Sequence, residues 1–131
     1  MSGKQPDQVK PDRFALSSLI DALPDAIIMA DEDGQIVKAN TQAIGMFGYA
    51  REELIGAKVE ILLPGSFHKA HIAQRRQYVQ KPRVRPMGSG APLSARHKDG
   101  HEFQVEIRLA PYQAPDGFLV VASIREVAQR D

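Results

Sequence analysis

The chain has 131 residues, a net charge of +1 at pH 7 and no cysteine. This length is typical of one domain with its own hydrophobic core, and the lack of cysteine excludes disulfides, thiolate metal sites and thiol-linked chromophores. No apolar run approaches the roughly 20 residues that a membrane span needs, and the polar N-terminus lacks the apolar core of a signal peptide. We therefore expect a cytoplasmic protein that makes no membrane contact.

The N-terminal segment, residues 1–11, is polar and contains two prolines, which predicts disorder. An apolar stripe at helical spacing follows it and consists of Leu16, Leu19, Ile20 and Leu23. The stripe predicts an amphipathic helix over residues 12–23. Such a narrow stripe can pack on the chain's own sheet or on a second copy of the chain, and we expect a homodimer through this helix.

The next segment, "DAIIMADEDGQIVKAN" at 25–40, predicts two strands joined at Asp33-Gly34, residues that tolerate the positive φ of a tight turn. Asn40 then precedes a short helix. Its structural interpretation is an N-cap, and its functional interpretation is a signal relay between pocket and sheet. Two brief helical segments and a longer helix at 66–79 follow, and the prolines and glycines of "KPRVRPMGSG" at 81–90 predict irregular structure.

Charge is distributed unevenly along the chain. From Ile61 to Lys98 there are eight Lys or Arg residues and no Asp or Glu. Such a segment favours an anion, whether a ligand carboxylate or phosphate, an acidic face of a partner, or nucleic acid, although a solvated helix face is the simpler interpretation. Nucleic acid ranks last because only Tyr78 supplies an aromatic ring among these cations.

The C-terminal part is strand-like. A hairpin is predicted at 91–113 with Asp99-Gly100 at its turn, and an apolar strand at 118–127. Between 103 and 109 apolar and polar residues alternate, which indicates a strand with one buried face. The order of two strands, several helices and three strands predicts an α+β fold, an antiparallel sheet covered by helices with space for a small molecule between the two.

Six short motifs in this order resemble the PAS domain family. They are the Asp33-Gly34 turn, Asn40, "FGY" at 47–49, "EELIG" at 52–56, "LLP" at 62–64 and "KDG" at 98–100. The resemblance covers about residues 16–125. It implies a single domain over 12–127 with a five-stranded antiparallel sheet, flanked on one face by short helices, and an N-terminal amphipathic helix. Residues 128–131 would begin a linker to an output domain.

The resemblance also implies a function. Such domains are sensory modules of bacterial signal-transduction proteins, such as sensor histidine kinases. They bind a small ligand or cofactor between sheet and helices, and pass the change through the last strand and dimer contacts to a kinase or cyclase domain. The family often ends that strand in Asp-x-Thr, and Glu126 stands at the matching acidic position. The alternative is a ligandless module for protein interaction and dimerisation.

A branch of the family consists of haem-binding oxygen sensors whose iron-binding histidine lies seven positions after the "LxP" proline. Here that position is His71, and Phe67, His71 and Tyr78 share one side of the predicted helix. The resemblance implies His71 as the ligand of haem iron, with Arg75 and Arg85 available for the propionates. An arginine that contacts the bound gas in those sensors is replaced here by Ala91.

Other sites are less favoured. A non-covalent flavin would lack the tryptophan that often stacks in such pockets, since the chain has none. Zinc at His68 and His71 would lack a third ligand, because His97 and His101 flank a distant turn. No paired carboxylates, nucleophile triad or phosphate loop has a convincing arrangement, so we expect the domain not to be an enzyme.

Overall fold

The computed structural model describes residues 13–86, 92–115 and 117–127. Its helices are α1 (Arg13–Asp21), α2 (Thr41–Phe47), α3 (Arg51–Leu54) and α4 (His68–Gln80), with 3₁₀ turns at Val59–Leu62 and Gly65–Phe67. Its strands are β1 (Ala26–Ala30), β2 (Ile36–Ala39), β3 (Arg85–Pro86), β4 (Leu93–Arg96), β5 (Glu102–Ala114) and β6 (Gly117–Glu126).

The strands form one antiparallel sheet in the order β2-β1-β6-β5-β3, and β4 pairs with the N-terminal part of β5. The first and last parts of the chain therefore meet at the centre of the sheet, where β1 pairs with β6 from Ala26↔Ile124 to Ala30↔Val120. A turn with a glycine at positive φ connects the two strands of each of two hairpins. Gly34, at +83°, lies between β1 and β2, and Gly100, at +100°, lies between β4 and β5. Glycine is favoured at these positions because it has no Cβ to clash in the left-handed region.

Both faces of the sheet centre are covered. In β1 all five residues are buried, because alternate side chains point to opposite faces and each face has its own cluster. The larger cluster, on the inner face, includes Ile28, Ile124 and Phe47 of α2. The smaller one joins Ile27 and Met29 to Ile20 of α1. The predicted arrangement, an antiparallel sheet covered by helices, is thus present.

The structure confirms the α+β prediction, the five predicted strands and the alternation at 103–109, where Phe103 and Val105 are buried between exposed or half-buried polar neighbours. One prediction for the 81–90 segment is wrong: Arg85–Pro86 forms a short strand against Leu109 and Arg108, because the long strand β5 extends beyond β4 and leaves its edge open for pairing. The predicted disordered segment 1–11, Asp12 and the predicted linker 128–131 lie outside the described residues.

The apolar stripe at the N-terminal helix is buried only in part. Ile20 is buried in the smaller cluster and Leu16 packs beside it, whereas Leu19 is 60% exposed and Leu23, two residues beyond the end of α1, is 38% exposed. The helix therefore packs on its own sheet with one side only. Its other side is a surface on which a second copy of the chain could pack.

Candidate functional site

A cavity of about 700 Å³ lies between the inner face of the sheet and α4. This volume falls within the range of roughly 300–1,000 Å³ that is typical of small-molecule sites. The wall on the sheet side is apolar and comprises Ile28, Ile107, Leu109, Val120, Ala122 and Ile124. Each strand contributes every second residue to this wall, because successive side chains in a strand point to opposite faces.

Helix α4 forms the opposite wall. His71, Arg75 and Tyr78 lie four and three residues apart, so they share one side of the helix, and all three line the cavity. The Tyr78 hydroxyl is fixed by donating to the backbone carbonyl oxygen of Arg83 at 2.5 Å. Phe67 precedes the helix in a 3₁₀ turn, is half exposed and does not belong to the cavity lining. The predicted ligand contacts of these residues stay predictions.

Glu60 is the main feature of the site that sequence analysis missed. Its carboxylate is 5% exposed and accepts three hydrogen bonds from α4. Oε2 lies 2.6 Å from Nδ1 of His71 and 2.9 Å from Nε of Arg75, and Oε1 lies 3.2 Å from Nη2 of Arg75. Glu60 immediately precedes the acid-free stretch in the sequence, a position that could have suggested a single anionic partner for those cations.

The ionisation of Glu60 decides which atom of His71 carries a proton. Burial by itself raises the pKa of Glu60, but hydrogen bonds and charge from Arg75 and His71 outweigh it and hold the pKa below its ordinary value of 4.5. The carboxylate is therefore ionised at neutral pH and can only accept, so Nδ1 of His71 donates. In neutral His71 the lone pair is then on Nε2.

The cations of the basic stretch have different surroundings. Arg75 lines the cavity, but its guanidinium is engaged by Glu60 and is only 14% exposed. Lys81 and Arg83, just beyond α4, are exposed and also contribute to the lining. The side chain of Arg85, and all of Ala91, lie outside the described parts of the chain.

The structure gives His68 and His71 different partners. Nε2 of His68 lies 2.9 Å from the carbonyl oxygen of Leu63, and the residue is half-buried because this bond folds the ring back onto the preceding turn. Within the described residues, the cluster with three metal-binding side chains is at the β4–β5 turn and includes neither His68 nor His71.

Asn40 connects three elements at the edge of the inner cluster. Its fully buried side chain accepts from the amide nitrogens of Ile27 (2.8 Å) and Ala43 (3.0 Å), and donates to the carbonyl oxygens of Ile20 (2.7 Å) and Asp25 (3.0 Å). The predicted N-cap of α2 is confirmed. The same amide also joins the end of α1 to β1, a position from which a relay could act.

Strand β6 leads from the cavity to the end of the described chain. Val120, Ala122 and Ile124 line the cavity, and Glu126 follows two residues later, exposed and paired in register with Val105 of β5. Glu126 is thus on the same strand as three residues of the cavity wall. Its predicted role as a relay rests on this position.

The site combines an apolar chamber, one oriented imidazole and two exposed cations at the edge of the chamber. Such an arrangement is suited to bind an apolar molecule with an anionic group, because the walls remove apolar surface from water while Lys81 and Arg83 can meet the anion.

Comparison with known proteins places this geometry in a family. The sequence matches the family model for the PAS fold over residues 15–125. It is 28% identical over 99 residues to the sensor protein FixL of Bradyrhizobium diazoefficiens, covering 76% of this chain and 20% of that protein. It is 26% identical over 108 residues to the oxygen sensor protein DosP of Escherichia coli, covering 79% of this chain and 14% of that protein. The chain thus spans a fifth or less of these relatives.

Solved structures share the fold. A PAS domain from Colwellia psychrerythraea superposes with a TM-score of 0.74 at 21% identity, covering 89% of this chain and 98% of that one. The Rhodobacter sphaeroides LOV protein superposes with a TM-score of 0.71 at 19% identity, covering 87% of this chain and 65% of that one. None of the helices in the described parts of the chain is long and apolar enough to span a membrane. Because the family model matches residues 15–125, which is most of the sequence, the chain belongs to the PAS fold family.

Proposed function

We propose that this chain is a sensory domain that binds a small ligand in the cavity between the sheet and α4. The observation that carries the proposal is the cavity of about 700 Å³ with an apolar sheet wall. Relatives named as a sensor protein and an oxygen sensor protein support it. The host would be a longer bacterial signalling protein with a kinase or cyclase output domain, and the chain itself would bind rather than catalyse.

The surroundings of the cavity favour an apolar ligand with a carboxylate. Burial of apolar ligand surface against Leu109, Val120 and Ile124 would supply most of the affinity, at roughly 25 cal/mol per Å². Lys81 and Arg83 would select the anion, since both are exposed and belong to the lining. Arg75 would act indirectly, by holding Glu60 ionised.

Haem is a specific member of this class, because it is an apolar macrocycle with two propionates. The residues present fit it in one respect: His71 lines the cavity, and the Glu60 carboxylate fixes its proton on Nδ1. A carboxylate behind an imidazole is the usual arrangement for a metal-binding histidine. His71 would hold the haem iron, and haem would supply an iron centre able to bind a diatomic gas. A non-covalent flavin is less favoured.

An absorbance titration with haemin tests this candidate on wild type, His71→Ala and His68→Ala. His68 is the matched control, since it is on the same helix, is bonded to Leu63 and does not line the cavity. A shifted, saturable Soret band in wild type and His68→Ala that is lost in His71→Ala supports haem. A spectrum of free haemin alone in wild type, or an equal shifted band in all three proteins, removes haem but leaves the broader ligand proposal standing.

A ligandless interaction module is the alternative. It requires side chains of the domain to fill the cavity, which the volume of about 700 Å³ disfavours. The two functions separate in a thermal-shift screen of small carboxylates and cofactors. A ligand-binding domain gains thermal stability with at least one of them, because a ligand that binds only the native state stabilises it. A module without a ligand site shows no shift with any.

Dimerisation is part of the proposed function. Leu19 on α1 and Leu23 just beyond its end leave an exposed apolar strip, and Ile20 packs another side of this helix on the sheet. We place the homodimer contact on this strip. Because Asn40 holds the carbonyl oxygen of Ile20, a change in the sheet would reach the dimer contact through α1.

A further inference from the structure

We propose that the turn between β4 and β5 binds a zinc ion through His97, Asp99 and His101, at the surface and independently of the cavity. The ligand atoms of these three side chains lie within 4.8 Å of one another. Imidazole nitrogen and carboxylate oxygen are ordinary zinc ligands at about 2.0–2.2 Å, so two of them around one tetrahedral ion lie about 3.3 Å apart. The convergence of three such atoms is thus close to what one ion requires.

The distances show how little the side chains would have to move. Nδ1 of His97 lies 3.2 Å from Oδ1 of Asp99, and Nδ1 of His101 lies 2.6 Å from the same oxygen. The two imidazole rings are stacked, with centroids 4.7 Å apart and planes inclined by 20°. An ion would replace the hydrogen bond between His101 and Asp99 and require only a small widening of the separation between their ligand atoms.

The backbone of the turn sets this geometry. The amide of His97 donates to the carbonyl oxygen of His101, and the amide of Gly100 donates to that of His97, each at 2.9 Å. The spacing of two residues then brings all three side chains to the same turn. The amide of Asp99 also lies 3.1 Å from Nδ1 of His97, a bond that requires a lone pair on that nitrogen. A metal ion would compete for the same lone pair.

Contacts with the helices hold the turn in place. The Lys98 amide donates to the carbonyl oxygen of Phe47 at 2.9 Å, and its ammonium group lies 2.7 Å from Glu53 of α3. The His97 ring lies so close over Gly48 that a Cβ there would overlap it. On the other side, the His101 ring packs against Phe103 with centroids 5.7 Å apart. Two imidazole ligands are therefore positioned before any ion arrives, which lowers the entropic cost of binding.

The exposure of the cluster points to an open site. The side chains of His97, Asp99 and His101 are 24%, 61% and 58% exposed, so water can complete the coordination. Three protein ligands plus water is the arrangement of zinc sites that retain an open position. The dication would also offset the negative charge of Asp99.

Isothermal titration of the untagged chain with Zn²⁺ tests the proposal on wild type, His101→Ala and His71→Ala. We expect one saturable site in wild type, an affinity at least about tenfold lower in His101→Ala, and no change in His71→Ala. His71→Ala controls for the other group of histidines. Thermal unfolding without metal verifies that each variant is folded, and Asp99→Asn replaces His101→Ala if the latter is unfolded.

Two results would overturn the proposal: no saturable zinc binding by wild type, or equal binding by wild type and His101→Ala. Loss of binding in His71→Ala alone would also overturn it, because the zinc would then occupy the cavity wall. None of these results depends on whether the cavity binds a ligand, so the sensory proposal is tested separately.

Discussion

The Nδ1 atom of His71 lies 2.6 Å from Oε2 of Glu60. This pair, with Arg75, joins helix α4 at the cavity wall to the 3₁₀ turn at Val59–Leu62. The carboxylate is almost fully buried, yet its charge is balanced by a guanidinium and three hydrogen bonds. The contact explains why an acid is present at the border of a long basic segment.

Removal of the buried carboxylate should destabilise the domain. We expect Glu60→Ala to lower the free energy of unfolding by about 3 kcal/mol, because it leaves Arg75 without its partner in a largely buried position. Urea denaturation measures the change. Glu53→Ala is the control: Glu53 is also paired with a cation, Lys98, but both side chains are over 40% exposed, so the loss should be smaller. An equal loss in both variants would contradict the assigned role of Glu60.

The low pKa of Glu60 predicts how its contribution varies with pH. Because the pKa in the folded state lies below the ordinary value of 4.5, the unfolded state takes up the proton first as the pH falls. The stabilisation is therefore complete above that value and is lost as the pH falls through the folded pKa. The stability difference between wild type and Glu60→Gln should stay constant from about pH 7 to about pH 5, then shrink in more acidic solution.

Unfolding by urea at a series of pH values gives this difference directly. A stability gap between the two proteins that persists unchanged at the acidic end would show that the charge of Glu60 adds nothing to the native state.

The stability of the domain should depend on both the acceptor oxygen and the donor nitrogen of the Asn40 side chain. We expect Asn40→Ala to cost about 2–4 kcal/mol, since it removes an N-cap and leaves buried backbone groups unpaired. Asn40→Asp keeps the acceptor but places an oxygen against the carbonyls of Ile20 and Asp25, so it should also destabilise. The exposed neighbour Thr41, changed to Ala, should shift stability by no more than about 0.5 kcal/mol. A stable Asn40→Asp would show that the donated bonds are unimportant.

The exposed side of α1 predicts the oligomeric state. Wild type should sediment as a dimer, and Leu19→Glu should sediment as a monomer, because a charge would be buried in the contact. Val84→Glu is the control, since Val84 is 65% exposed and lies just beyond α4. Analytical ultracentrifugation measures all three. A monomeric wild type, or a Leu19→Glu variant that still dimerises, would rule out this contact.

The sequence predicted the parts of the fold that depend on local patterns. The alternation from Phe103 to Leu109 and the glycine turns at Gly34 and Gly100 give the hairpins, since both depend only on neighbouring residues. The Glu60–Arg75 pair spans 15 residues across two helical segments and has no period, so no local pattern indicates it. The same holds for the short strand at Arg85, which forms only because β5 offers an open edge.

The histidines illustrate the same limit. Helical spacing predicts that His71 and Tyr78 share one side of α4. Glu60, which orients the His71 ring, lies in the separate 3₁₀ turn at Val59–Leu62. His97 and His101 are predicted only to be too distant to complete a site with His68 and His71, and the hairpin pairing of their own turn brings the two rings together.

If the cavity binds a small apolar carboxylate, a larger side chain that fills the cavity should abolish or weaken that binding. Ala122 lines the cavity, whereas Ala110 of β5 is one residue past Leu109 and so points to the opposite face, which makes Ala110→Leu the matched control for Ala122→Leu. In an NMR titration with octanoate, wild type and Ala110→Leu should show saturable shifts at Ile28, Leu109 and Ile124. Ala122→Leu should bind at least about tenfold more weakly, a loss of about 1.4 kcal/mol. Absence of shifts at these residues in wild type, or equal affinity in all three proteins, would show that the cavity is not a binding site for such carboxylates.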